Sequence, residues 1–524
     1  MRFLVKLPTF NRLVSLFFLI SNTDRNKHIE YSQMKQGLCP QEITMTAATA
    51  SKESQPIFTL QHIFNHQRNA SLAQPMPDYA SRVTTLKQLK TALLKNKEAL
   101  CEALAQDYGH RSHQDTLISD ILPCVMQINY TLKRLKKWMR PSRRHAGLLL
   151  MPAKVEVVYQ PLGVVGIVVP WNFPVMLSLG PLITALAAGN RAMLKLSEFT
   201  PITNKLLCSL LASLFEDSQV AVIEGEADVA AAFTRLPFDH LLFTGSTAVG
   251  HHVMRAAAEN LTPVTLELGG KSPTLIAPDA EITQAVQRTI FGKCLNAGQI
   301  CVAPDYVLVP EDKAQDFIAE FKQQFTTMYP QGVHSPDFTS VVNQRQFERL
   351  SQWLEEARQH GVPIEPAHPE SMDDTAHRMV PHLLLNPDHN LTLMQQEIFG
   401  PLLPVITYNS LDEALSYIQQ RPRPLALYLM TDDAALQAQV KNNIHAGGMA
   451  INDTVFHVAA DDAPFGGIGP SGMGHYHGKE GFLTFSKAKT VLTRGKINTA
   501  KLVTPPYTGW KTMLQKAMMA FFLR

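Results

Sequence analysis

The sequence predicts an α/β protein of two doubly wound parallel-sheet domains, and three observations carry that reading. The run 164–169 (VVGIVV) is apolar at every position, as in a strand covered on both faces. From there to residue 266, strand-like runs alternate with segments of helical period, as repeated strand-helix units require. The alternation resumes after residue 300, which calls for a second lobe. At 524 residues with 45% hydrophobic and 18% charged content, the chain can bury more than one core.

Taken in order, residues 1–12 are basic and 13–20 form a short apolar run, about half of what a bilayer span needs. No small-residue cleavage site follows, and 22–55 are polar without period, so 1–54 are expected to be a disordered leader, with Met45 a plausible true start. In 81–108, Leu86, Leu89, Leu93, Leu100 and Leu104 recur at helical spacing and predict one amphipathic helix. A second helix is expected over 115–139, ending in a basic cluster that runs on to Arg143 and Arg144, read as a solvated helix end.

Residues 155–159 alternate like a strand and lead through a Gln-Pro-Leu-Gly turn into 164–169. Helices are then expected over 179–188, 201–214 and 227–236, with strands over 191–196, 220–223, 240–243 and 264–268. In the second lobe, strands are expected over 306–309 and 402–408, and helices over 311–329, 344–360 and 411–420. The tail from Lys496, with Met513, Met518, Met519, Phe521 and Phe522, is expected to pack on the protein.

The net charge of +3 gives no argument for a nucleic-acid partner. The six cysteines are scattered without a CxxC pair, so neither a metal site nor a disulfide framework is implied, and a reducing, cytoplasmic compartment fits. No stable membrane insertion is expected.

The chain's best base and nucleophile pair lies in 264–304. In a strand over 264–268, Val264, Leu266 and Leu268 face the core and Glu267 the other side. Some 34 positions later, a helix over 285–296 stops at Ala297-Gly298 and presents Cys301 on a loop with backbone N–H groups nearby. A lone cysteine is more often a small buried hydrophobe and a lone strand glutamate a solvated residue, so the remaining motifs decide. Ligands of parallel sheets bind beyond the carboxyl ends of the strands. There, Asn172 stands between two prolines in a stiff turn suited to an oxyanion donor, Lys195 and Glu198 offer a cation and a carboxylate, and Gly245-Ser246 opens a helix. No GxGxxG follows any strand.

In their order, 170–174 (PWNFP), 195–198 (KLSE), 243–250 (FTGSTAVG), 267–273 (ELGGKSP), 298–301 (GQIC), 397–401 (EIFGP) and 464–469 (PFGGIG) resemble the aldehyde dehydrogenase superfamily over residues 55–490. The ending PFGGIGPSGMGHYHGKEGFLTFS is similar to the class 3 branch. YQPLGVVGIVVPWNFP and LNAGQICVAPDYVLVP are similar to the bacterial coniferyl aldehyde dehydrogenases within it.

The resemblance implies Cys301 as nucleophile, Glu267 as the base that activates water, and Asn172 as oxyanion donor. It implies NAD as cofactor, with NADP tolerated: Lys195 and Glu198 on the adenosine ribose, Ser246 on the pyrophosphate, Glu397 on the nicotinamide ribose and Phe399 beside the ring, with Gly245, Gly250, Leu268 and Trp171 as further cofactor-binding residues. It further implies a nucleotide-binding domain of 55–150 and 164–266, a catalytic domain of 267–448 and a bridging hairpin of 151–163 with 485–496. It also implies a homodimer formed through that hairpin, a tail of 497–524, no metal, and a hydrophobic, aromatic or phenylpropenoid aldehyde as substrate, coniferyl aldehyde among them. A long-chain aliphatic aldehyde dehydrogenase, a thiol esterase and an inactive binding protein on the same fold stay open as alternatives. Two positions depart from the family's common pattern: Leu196 stands where proline is usual, and Ile300 where threonine is usual.

Overall fold

The computed structural model describes residues 54–147, 150–497, 499–502 and 504–522. The expected leader and Met45 lie outside them, apart from Ser54, which begins the helix Ser54–Ala73. The fold has a six-stranded sheet and a seven-stranded sheet, both mostly parallel, and a separate three-stranded antiparallel sheet.

In the six-stranded sheet, the parallel strands Val264–Glu267, His240–Thr244, Val164–Val168, Arg191–Lys195 and Val220–Ile223 lie side by side, and Gly472–Met473 adds antiparallel at the edge. The two periods of the sequence explain the layering. Val165, Ile167, Ala192 and Leu194 point into a core with the helices Tyr79–Lys95, Leu122–Trp138 and Pro174–Ala188. Their neighbours Val164 and Met193 point to the other face, where Phe64, Phe233 and Val253 cover them. The seven-stranded sheet repeats this design: Val307 and Val309 face Phe317 and Phe321, while Tyr306 and Leu308 face Leu415 and Leu436.

Several expectations are corrected. The helix expected over 81–108 is two, Tyr79–Lys95 and Lys97–Asp107, because Asn96 ends the first by turning both its backbone N–H and its side-chain amide onto the carbonyl of Ala92. The second expected helix, 115–139, starts at His113, passes through a π-turn over Leu117–Ile121 and continues as Leu122–Trp138. Pro123 lacks the N–H that would extend the regular ladder across this point. Arg143 and Arg144 belong to the strand Ser142–Arg144, which pairs with 155–157, so the basic cluster is only partly a helix end. The helix expected over 179–188 begins at Pro174, where a proline's missing N–H costs nothing.

Among the described residues, the strands Pro273–Ile276, His382–Leu385, Ala426–Met430 and Gly448–Ile451 have no counterpart in the sequence reading. The tail forms a helix, Trp510–Phe522, with no fully buried residue; Trp510, Met513 and Phe521 are exposed, while Leu514 and Met518 are half-buried. The three-stranded sheet joins Ser142–Arg144, Lys154–Pro161 and Ser486–Thr493, the last two paired over eight residues. Among the described residues no helix is long and apolar enough to cross a membrane, and no cluster of side chains could hold a metal.

Candidate active site

The carboxyl ends of the parallel strands open onto a cavity of about 870 Å³, lined by Trp171, Asn172, Thr244–Ser246, Glu267, Cys301, Glu397 and Phe399 among others. Cys301 reaches it through a backbone that turns sharply. The helix Ile282–Cys294 ends, and Asn296 and Ala297 adopt left-handed angles (φ +50° and +51°), unusual for residues with side chains. Asn296 is held there by Asp115, which accepts its N–H, and by its side-chain amide, which donates to the carbonyls of Asn172 and Gln299. Around the thiol the wall is apolar: Phe173, Ile300, Val302, Tyr428 and Val455. Burial pushes the Cys301 thiol up to about 12, reinforced by the nearby carboxyls of Glu397 and Glu267. The backbone N–H groups of Cys301 and Val302 pull the other way.

Glu267 ends its strand, opposite Gly472. It is not the solvated strand residue that its isolated sequence context allowed: it is 2% exposed, and neither carboxyl oxygen has a partner among the described residues. Burial therefore holds it well above the usual carboxylate range. Glu397 sits against the turn after the same strand. A Cβ on Gly269 would fall 2.1 Å from its Oε2, so only glycine leaves room for this carboxyl. Burial first, then Asp305, raises Glu397 to about 8, opposed by the N–H of Gly270.

The segment carrying Glu397 and Phe399 is anchored by residues the sequence reading did not single out. Lys271 pairs with Asp305 and donates to the carbonyls of Leu393 (2.7 Å) and Gln396 (3.0 Å). Asp305 accepts from the N–H of Ile398 (2.8 Å), and Arg349 donates to its carbonyl (2.9 Å). Phe399, held at φ +47°, meets the ring of Trp171 edge-on at 5.2 Å. Lys271 lies within ELGGKSP, so its motif offered a signal; Asp305 and Arg349 offered none.

Asn172 is 2% exposed and donates through Nδ2 to the carbonyl of Gln299 (3.1 Å). Gln299 is itself fixed, accepting from the N–H of Val342 and donating to the carbonyls of Asn296 and Ser340. Ser246 caps the helix Thr247–Ala258 by accepting from the N–H of Val249.

Four of the twelve expected residues do not line the cavity. Lys195 is buried with its Nζ on the carbonyl of Leu196 (2.6 Å), and burial lowers its pKa against the pull of Glu198 and Glu226. Glu198 is exposed beyond the same strand end. Gly250 and Leu268 form a packing pair, since a Cβ on Gly250 would lie 2.8 Å from Leu268 Cδ2. They let the helix approach the sheet closely.

A half-buried thiol, an unpartnered carboxyl and an anchored amide thus share one cavity, a set able to perform acyl chemistry at a carbonyl. Residues 62–491 match the model of the aldehyde dehydrogenase family. A probable coniferyl aldehyde dehydrogenase of Pseudomonas aeruginosa is 52% identical over 91% of this chain and 99% of its own length. The 4,4'-diaponeurosporen-aldehyde dehydrogenase of Staphylococcus aureus is 39% identical over 83% of this chain and 94% of its own length. A solved structure of a Staphylococcus aureus aldehyde dehydrogenase in a substrate-bound state superposes with a TM-score of 0.83 at 38% identity, covering 88% of this chain and 99% of that one. A Mycobacterium tuberculosis aldehyde dehydrogenase complexed with NAD+ superposes with a TM-score of 0.76 at 27% identity, covering 84% and 92%. By sequence and by fold, the chain belongs to the aldehyde dehydrogenase family and is an oxidoreductase acting on aldehydes.

Proposed function

We propose that this protein oxidises hydrophobic aromatic aldehydes, coniferyl aldehyde among them, to carboxylic acids, with NAD as the preferred cofactor. The observation that carries this reading is the convergence of Cys301, Asn172 and Glu267 on one cavity, with Cys301 packed from behind against the buried apolar cluster of Phe173, Ile300, Tyr428 and Val455. The relatives named coniferyl aldehyde dehydrogenase, 52% and 43% identical, support the substrate class.

Cys301, as thiolate, adds to the aldehyde carbon, and the carbonyl oxygen becomes an alkoxide facing the second amide proton of Asn172 and the N–H of Cys301. Each such donor contributes roughly 3 kcal/mol in comparable sites. A bound nicotinamide dinucleotide supplies the hydride acceptor. Loss of hydride from the tetrahedral carbon leaves an acyl thioester on Cys301. Glu267 then takes a proton from water as that water attacks the thioester carbon, and the thiolate leaves with the bonding pair. A carboxylate with a raised pKa is the stronger base for this step once ionised.

The cavity fits such a cofactor. Its lining includes a helix N-terminus capped by Ser246, whose first-turn backbone N–H groups suit an anionic pyrophosphate. Glu397 would hold the nicotinamide-side ribose, Trp171 and Phe399 would flank the ring, and Gly245 and Ser246 would meet the pyrophosphate. Lys195 and Glu198 would hold the adenosine ribose, with Gly250 and Leu268 supporting the helix above. Glu198, Glu224, Glu226 and Asp228 all lie close enough to act on Lys195, a surplus of negative charge that disfavours the 2′-phosphate of NADP.

The five described cysteines are free, which supports a reducing, cytoplasmic location. The strand Ser486–Thr493 lies at an edge of its sheet, which supports a homodimer formed by sheet extension. A panel of coniferyl, benzaldehyde-type and long-chain aliphatic aldehydes, each with NAD and NADP, tests the reading. The highest kcat/KM is expected for coniferyl aldehyde with NAD, and a preference for aliphatic chains would replace the aromatic assignment.

A further inference from the structure

The amide of Asn172 is only as well placed as the backbone beneath it, and residues 170–172 have no regular structure of their own. Three donors converge on the main-chain carbonyl of Asn172: Nη1 of Arg111 at 2.8 Å, the hydroxyl of Tyr108 at 3.1 Å and Nδ2 of Asn296 at 3.2 Å. The other arm of Arg111, Nη2, donates to Oδ2 of Asp120 at 2.8 Å, with both side chains fully buried. Oδ1 of Asp120 in turn accepts from the N–H groups of Val175 (3.0 Å) and Met176 (2.9 Å), in the first turn of the helix Pro174–Ala188. The rings of Tyr108 and Phe173 flank the guanidinium at 5.0 and 5.1 Å.

The pair therefore grips residue 172 on one side and residues 175 and 176 on the other. A buried ion pair contributes little net stability, because desolvation offsets the attraction, so its contribution here is geometric. The arrangement also needs arginine: one nitrogen reaches the carbonyl while a second holds the carboxylate, and a lysine has only one nitrogen to offer. Neither Arg111 nor Asp120 lines the cavity.

We propose that Arg111 and Asp120 are a positioning pair that aims the Asn172 amide at the developing oxyanion, a proposal that rests on the oxyanion role given to Asn172 above. Two reactions of Cys301 that need no nicotinamide separate this from a general role in folding. Acylation by p-nitrophenyl acetate passes through an oxyanion: the thiolate attacks the ester carbonyl, p-nitrophenolate leaves with the bond pair, and a thioester remains. Alkylation by iodoacetamide displaces iodide at a saturated carbon and forms no oxyanion.

Asp120→Asn and Arg111→Lys are expected to slow acylation by about tenfold or more while leaving the alkylation rate of the folded variant near that of the native chain; the unfolding temperature of Asp120→Asn falls, because it leaves a buried guanidinium without its carboxylate. Tyr108→Phe, which removes one of the three donors and keeps the ring, is expected to slow acylation by a few-fold only, and it decides the matter if the charge variants do not fold. Equal losses of acylation and alkylation, or no loss of acylation, would overturn the proposal. Asn172→Ala runs alongside: if it acylates like the native chain, the oxyanion reading itself is wrong, whereas a loss in Asn172→Ala without a loss in the pair's variants removes the pair alone.

Discussion

The side-chain amide of Asn172 donates to the carbonyl of Gln299 across 3.1 Å, two residues before the cysteine that shares its cavity. An amide nitrogen carries two protons, so this bond commits one and fixes the direction of the other. Asn172→Ala is therefore expected to lower kcat by about 10² to 10³, with cofactor affinity, read from quenching of protein fluorescence, unchanged.

Cys301 and Cys294 lie seven residues apart, but only Cys301 lines the cavity. Cys294 is buried inside its helix, which pushes its thiol far above the usual range. Cys301→Ala is expected to abolish aldehyde oxidation, and Cys294→Ala to spare it. With the Cys301 thiol at about 12 in the cofactor-free protein, the thiolate fraction grows roughly tenfold per pH unit well below that value. The iodoacetamide rate of the free enzyme should climb throughout pH 7 to 10, as about a tenfold gain per unit. Levelling of the rate between about pH 9 and 10 would show an unperturbed thiol.

Glu267→Gln removes the base but keeps the shape, so a rapid burst of reduced cofactor followed by slow turnover is expected. Unchanged steady-state turnover would exclude Glu267 from hydrolysing the thioester. The same variant carries a stability signature. A carboxyl whose folded pKa is raised binds its proton more tightly when folded, so its contribution is complete below the unfolded pKa and is lost as pH rises through the folded one. The native chain should therefore lose stability relative to Glu267→Gln as pH rises above the ordinary carboxylate range, and the gap in unfolding temperature should widen with pH.

Ile300 is 6% exposed and packs with Phe173, Val302 and Tyr428 beside the thiol. Replacing it with threonine puts a hydroxyl in an apolar wall. KM for aromatic aldehydes is expected to rise about tenfold with the iodoacetamide rate of Cys301 unchanged. An unaltered KM would place Ile300 outside the substrate's path.

Asn172 and Cys301 could be picked out in the sequence because prolines or glycines mark the turns that carry them, Glu267 because its strand breaks at Gly269-Gly270, and Glu397 only through its EIFGP motif. Gly269 is needed where it stands, since a Cβ there would jam against Glu397. The supports of these residues were not legible. Arg111 meets Asp120 nine positions away across a π-turn, and Lys271 meets Asp305 only after the chain has built a helix and returned. Nothing in either residue's neighbours announces its partner. The strand Pro273–Ile276 escaped notice because it has four residues and opens on proline. The burial of Lys195 and Glu267 was equally hidden, since period marks faces but not what later covers them.

The pairing of Gly472 with Glu267 has a consequence for the order of assembly. During synthesis the strand Val264–Glu267 emerges some two hundred residues before its edge partner, and until then it remains the exposed rim of an incomplete sheet. Glu267 thus reaches its dry surroundings among the last events of folding, through a contact of high sequence separation that forms slowly. A chain stopped before residue 472 would carry every group named for catalysis and still present Glu267 to water.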